Sequence, residues 1–293
     1  MPTDPILWER LPQDAKNALW KAAQLADAPL PATVVTGSTG RADELLARAV
    51  ENGLAQLSPH LLWGQSLRLS TQARAGIRSG AFGVGGYQLD LLGDLTTSMV
   101  GYYYSYFLTD PPLMRRSAAE LEPHLDIVAE LARRIELWEE LAHLLHRRAL
   151  YTAWDGGDAA RAARYAAESV QAFRKTGRGT PHPGVLALLL TGWAHFLEQI
   201  GDLRHAQEAL LEAEDLIVGQ VGAGALEPYL VYCQLAHVCR KAGDEDGAAD
   251  AADEARSIAA RLDGSAERKR RLARQLQSPR AWAFWHAEGY AGL

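Results

Sequence analysis

Cysteine is almost missing from this chain, with two in 293 residues, Cys233 and Cys239. They stand six apart in one predicted helix, on different faces and beyond bridging distance. Neither a disulfide framework nor a zinc-ligand spacing can be built from them, as expected of a reducing compartment. Long apolar runs are lacking too. The most tempting, GVLALLLTGWAHFL (184–197), is too short to span a bilayer and contains His195. The first residues, MPTDPILWERLPQDAKN, are acidic where a signal peptide is basic, and no long apolar core follows. A cytoplasmic protein with no membrane partner is the expectation. Nor is there a basic excess: a formal charge of -6 and a pI near 5.9 argue against a generic nucleic-acid or anionic-membrane binder, which needs a basic face.

The motifs of common chemistries are missing as well. PATVVTGSTGRADELL (31–46) has the outline of a strand, a glycine loop and a helix, but Gly37 and Gly40 have two residues between them where a phosphate loop needs four, and no Lys follows. A G-x-G-x-x-G fingerprint fails for want of a third glycine. The segment reads as a polar connection into a helix with Ser38 or Thr39 near its N-cap. Glu140, His143 and His146 recur at three-residue steps in EELAHLLH, but no second Glu-x-x-His and no H-E-x-x-H complete a metal site. There is no G-x-S-x-G elbow. Catalytic residues, cofactors and metals are therefore not expected. The basic run ERKRRLAR (267–274) reads as the solvated face of a terminal helix, and the aromatics of SPRAWAFWHAEGYAGL as a cap on the end of the fold or a docking element.

What is present is repetition. Three Gly-Asp turns, GGDAARAA (156–163), GDLRHAQEA (201–209) and GDEDGAADA (243–251), are separated by 44 and 42 residues from Gly157 to Gly201 to Gly243. Five residues after each glycine stands Ala162, Ala206 or Ala248, and twelve after it Ser169, Ala213 or Ala255. Seven before it come Leu150, Ala194 and Ala236. Small residues at those places let antiparallel helices pack closely, with glycine supplying the turn. From roughly 136 to 262 this pattern resembles the tetratricopeptide-repeat (TPR) family, in the longer-period form of kinesin light chains and bacterial sensor proteins. Ala153, Leu197 and Cys239 stand where that family often has a large aromatic, and a generic helical bundle is the alternative.

Before residue 140 the grammar changes. LPQDAKNALWKAAQLAD (11–27) reads as a helix, and RADELLARAVENGLAQL (41–57) as a second with Gly53 as its stop. AQLSPHLLWGQSLRLST reads as two short strands around a glycine turn, and TQARAGIRSG opens another helix. This order resembles the winged-helix segment of STAND regulators, signal-transduction ATPases in which that segment joins a nucleotide-binding module to a repeat sensor. LDLLGDLTTSMVGYYYSYFLT (89–109) reads as a long apolar helix ended before Pro111-Pro112, and further helices lead to the first repeat. The expected fold is mainly α: a winged-helix domain over 1–85, bridging helices over 86–135, and a right-handed TPR-like α-solenoid over 136–293 with a capping helix.

The TPR resemblance implies a groove. Positions six, ten, three and two before each turn glycine line it: Arg147, Tyr151, Trp154 and Asp155; Thr191, His195, Glu198 and Gln199; Cys233, His237, Arg240 and Lys241. Such a set suits a peptide or an acidic ligand held by cations and aromatics. The expectation is a non-catalytic sensor or scaffold that binds a protein, peptide or small-molecule effector. The STAND resemblance adds an NTPase module in cis or in trans, absent from this chain, as the regulated partner. Two other readings stay open: a DNA-binding regulator, against which Arg41, Asp43, Glu44, Arg48 and Glu51 of the second helix sum to -1, and a metal-dependent hydrolase built on His143, His146, His195 or His237.

Overall fold

A computed structural model describes residues 5–37, 42–61, 63–84, 88–105, 111–153, 157–177, 183–218 and 226–262. These residues form thirteen helices and three strands, and the fold is mainly helical, with consecutive helices packed in pairs as in an α-solenoid. Packing divides the chain into two units, Met1–Glu140 and Leu141–Leu293. Ser38, Thr39, Arg41, Trp154, Asp155, the basic run 267–274 and the aromatic segment 278–293 lie outside the described residues.

The first unit is organised around α2 (Gln13–Gln24), which turns Ala15, Ala18, Leu19, Ala22 and Ala23 inward and Gln13 and Asp14 away. A short α1 (Pro5–Glu9) precedes it, fixed by Trp8. The Trp8 ring stacks on Phe82 at 5.1 Å between centroids, and its Nε1 donates to Gly83 O at 2.9 Å. After α2 come β1 (Leu30–Pro31), α3 (Ala32–Thr36) and α4 (Ala42–Glu51). The strand-like run Val34-Val35-Thr36 is thus helical. Pro31 presets the backbone before the helix, Thr36 Oγ1 bonds back to Ala32 O at 3.0 Å, and Ala32, Val34 and Val35 are buried in α3. Gly53 ends α4 with a positive φ of 67°, its N–H bonding to Val50 O and that of Leu54 to Ala49 O.

β2 (Ala55–His60) and β3 (Gly64–Leu69) form an antiparallel hairpin in register from Ala55↔Leu69 to His60↔Gly64. β1 pairs with the free side of β3 through Leu30↔Leu67 and Pro31↔Ser66, giving a sheet of order β1-β3-β2. α5 (Thr71–Arg78) follows, with Ser70 Oγ accepting from Ala73 N at its N-cap. Its two arginines, one turn apart, close the C-terminal end of α2. Arg74, 5 % exposed, donates from Nη1 to Leu25 O at 2.7 Å, and Arg78 donates from Nε to Ala23 O at 2.8 Å and from Nη2 to Leu25 O at 2.9 Å. Cations are favoured at a helix C-terminus, where the last carbonyls have no intrahelical donor. α6 (Gln88–Ser105) and α7 (Pro111–Arg134) complete the unit. The Pro pair opens α7 at the positions where a missing N–H costs nothing.

The second unit runs through α8 (Trp138–Ala153, entering at Leu141), α9 (Ala159–Arg174), α10 (Pro183–Gln199), α11 (Leu203–Val218), α12 (Leu226–Ala242) and α13 (Glu245–Arg261). Its turns reuse one device. Gly201 and Gly243 hold φ near +80°, and their N–H groups bond to Glu198 O and Arg240 O. The aspartate after each bonds back to the carbonyl five residues earlier, Asp202 N to Leu197 O and Asp244 N to Cys239 O, both at 2.9 Å. The same aspartates then cap the next helix, with carboxylates accepting from His205 N and Gly247 N, as Asp158 accepts from Arg161 N. One Gly-Asp dipeptide therefore stops a helix and starts its partner.

The small-residue register is buried without exception. Ala162, Ala206, Ser169, Ala213, Ala255, Leu150, Ala194 and Ala236 are fully buried, and Ala248 nearly so. Ser169 Oγ also donates to Ala142 O at 2.7 Å, tying α9 to α8. Neighbouring pairs are linked by Arg174 to Glu212 at 2.6 Å, by Tyr232 Oη to Glu214 Oε1 at 2.8 Å, and by Gln207 Nε2 to the capping Asp244 at 3.1 Å. No described helix is long and apolar enough to cross a membrane.

Candidate functional site

In the second unit, buried polarity is unevenly shared. Among the described residues, His146, Arg147, Arg148, Thr191 and Gln234 are buried on α8, α10 and α12, whereas Ser169 alone is buried on α9, α11 and α13. Burying such groups costs free energy unless they are satisfied, so the first helix of each pair carries polar chemistry that the alanine-rich second helices do not need for packing. Gly192 is part of that arrangement. The edge of the His146 ring occupies the space of its missing Cβ, with Cε1 2.8 Å from where that atom would be, which brings α8 and α10 into close contact.

α10 and α12 meet in a polar cluster. Glu198 Oε1 lies 2.7 Å from Lys241 Nζ and 3.1 Å from His237 Nε2. One turn back on α10, His195 Nε2 is 2.9 Å from Gln199 Nε2. Burial of Glu198 works to raise its pKa, but the hydrogen bonds and charges of His237 and Lys241 overcome this and hold the carboxyl at about 2. It is ionised at any physiological pH. For His195, burial lowers the pKa more than Glu198 raises it, with His237 and Lys241 pushing the same way as burial. A neutral imidazole carries one donor and one acceptor nitrogen, and that of His195 already engages Gln199 through Nε2 beside the fixed carboxylate and ammonium.

Of the expected groove residues, the structure thus brings together His195, Glu198, Gln199, His237 and Lys241. Arg240 is exposed beside them. Tyr151 is half-buried on α8, and burial pushes its phenol up to about 12 despite the nearby Arg147 guanidinium. Arg147, Thr191 and Cys233 are turned inward. Thr191 Oγ1 donates to Ala187 O at 2.7 Å in its own helix, and Cys233 is held as a thiol, burial pushing its pKa up to about 12. Gln234 was not anticipated; its Nε2 donates to Thr191 O at 3.3 Å, so it lies on the α10–α12 seam. Its position, three residues before His237, was the available signal.

His143 is half-buried and His146 fully packed, and among the described residues no group of three or more His, Cys, Asp or Glu is arranged to hold a metal ion. Comparison with protein-family models, with curated proteins and with solved structures returned no match.

Proposed function

We propose that this chain is a non-catalytic sensor or scaffold in which the face shared by α8, α10 and α12 binds a protein, peptide or small effector. The observation that carries this reading is the Glu198–His237–Lys241–His195 cluster. It gathers ionisable side chains from two non-consecutive helices onto one face, where alanine packing would have served the fold alone. Arg240 and Lys241 favour a ligand bearing carboxylates, since guanidinium and ammonium groups form charge-assisted hydrogen bonds with them.

The architecture we infer is a winged helix followed by a TPR-like solenoid. Support for the first comes from the order α2-β1-α3-α4-β2-β3 with a β1-β3-β2 sheet. Support for the second comes from the repeated Gly-Asp turn and the buried small-residue register. By resemblance, the regulated partner is a STAND-type NTPase module in cis or in trans, and occupancy of the solenoid would alter the restraint the winged helix exerts on it; this step rests on fold analogy. A cytoplasmic site of action goes with that reading.

A random twelve-residue peptide library displayed on phage tests the binding claim. Peptides retained by the full chain should be enriched in Asp and Glu and should lose at least about tenfold in affinity to an R240A/K241A variant, roughly the effect of two charge-assisted contacts. Retained peptides without acidic enrichment, bound equally by the variant, would refute it.

A further inference from the structure

A second surface lies on the first unit. Between α2, α3, α4 and α6 runs a groove of about 560 Å³, partly open to solvent. Its apolar lining is Pro12, Val35, Leu45 and Leu91, and its charged lining is Asp14, Glu44, Asp94 and Lys21. Three carboxylates against one ammonium give a formal -2. Lys21 does not offset this toward a ligand: its side chain is 12 % exposed, laid along the wall, with Nζ 3.5 Å from Asp94 Oδ2. On the outer side of α4, Asp43 and Glu51 oppose the single charge of Arg48.

We propose that this groove docks a basic amphipathic helix of a partner protein. Three observations select that occupant. The acidic rim repels phosphate, which removes nucleic acid from consideration, and complements Lys and Arg side chains. No strand residue lines the groove, so a peptide has no sheet edge to extend, and the lining is drawn from helices that contribute Val35, Leu45 and Leu91, the setting in which a helix lays its apolar stripe into a groove. The opening would leave a small amine largely solvated, whereas small-ligand pockets enclose most of their ligand. The proposal is independent of the effector face on α10 and α12.

Fluorescence anisotropy with the full chain tests it, using a labelled fourteen-residue Leu/Lys amphipathic helix and its Leu/Glu counterpart as probes. The Leu/Lys helix should bind at least about tenfold more tightly than the Leu/Glu helix. The variant D14N/E44Q/D94N should weaken it about tenfold, and L91A about fivefold, in line with rim charges and partial apolar burial. All three acidic positions are exposed, so the variant should keep the parent's circular dichroism. A control variant on α13, D250N/D253N/E254Q, should change binding less than twofold. The proposal is overturned if the α13 control weakens binding as much as the groove variant, which would mean general charge attraction. It is also overturned if the groove variant binds unchanged, or if spermine displaces the helix fully while L91A has no effect, which would mean a small polyamine is the better ligand.

Discussion

Replacing Gly192 by alanine places a methyl group 2.8 Å from His146 Cε1, 3.5 Å from Nδ1 and 3.9 Å from Nε2. Carbon–carbon contacts are comfortable from ~3.5 Å, so the ring or the α8–α10 spacing must give by roughly 0.7 Å. His146 is 5 % exposed, which leaves the ring little room to move. Overpacking of this kind costs about 1–3 kcal/mol, while exchanging glycine for alanine inside a helix returns about 1 kcal/mol. The net expectation is destabilisation by about 1 kcal/mol. Removing the ring should reverse the sign. In an H146A background, itself less stable, Gly192→Ala should keep only the propensity gain of about 1 kcal/mol, a coupling of about 2 kcal/mol across the two helices. Urea unfolding of the four proteins of this cycle, followed by far-UV circular dichroism, measures both numbers. The packing argument fails if G192A is as stable as its parent when His146 is present, or if its effect is the same with and without the ring.

Three further outcomes follow from the same geometry. Glu198 is held at about 2 when folded against 4.5 ordinarily, so its contribution is complete above pH 4.5 and declines as pH falls toward 2. The urea stability advantage of the wild type over E198Q, about 1 kcal/mol after allowing for solvent screening, should shrink between pH 6 and pH 3; a gap that widens on acidification would contradict the assigned partners. Gly201→Ala and Gly243→Ala should each lower stability by about 1–2 kcal/mol because φ near +80° is costly for a side chain, and asparagine at the same places should recover part of the loss, both read from thermal midpoints. Arg74→Met should cost about 1–2 kcal/mol by removing the shorter of the two donors to Leu25 O, which keeps Arg78 Nη2, and a lysine that restored full stability would show that charge alone, not the guanidinium fork, closes that helix.

How far the sequence revealed this fold depended on how local each determinant is. The Gly-Asp turns were legible because the dipeptide contains both the helix stop and the next N-cap. The burial of Ala162, Ala206 and Ala248 followed from their fixed distance to it. Gly53 was legible for the same reason. The helix of Ala32–Thr36 was not, since Val34, Val35 and Thr36 favour extended backbone by propensity and are overruled by Pro31 and by burial. The two-residue β1 exists only through its pairing with β3, and α1 only through Trp8 reaching Phe82, both contacts that no local pattern encodes. Arg74 and Arg78 look like surface cations in TQARAGIR, and only the tertiary fold turns them onto α2.

The candidate face shows the same division. Counting from the turn glycine brought His195, Glu198, Gln199, His237 and Lys241 to one side of their helices, and the structure unites them across α10 and α12. Counting could not give depth. Arg147, Thr191 and Cys233 share the same register but lie where adjacent helices meet, and so are covered. The charge state of Glu198 was equally invisible, because it depends on His237 and Lys241, about forty residues away in the chain.

Site-directed photo-crosslinking tests the account's central claim most directly. A benzophenone side chain introduced singly at Tyr151, His195 or His237 should attach to a peptide selected on the wild-type chain. The same group at Arg164, Glu208 or Asp250, on α9, α11 and α13, should not. Crosslinks confined to the second set, or shared equally by both, would contradict recognition through the α8, α10 and α12 face.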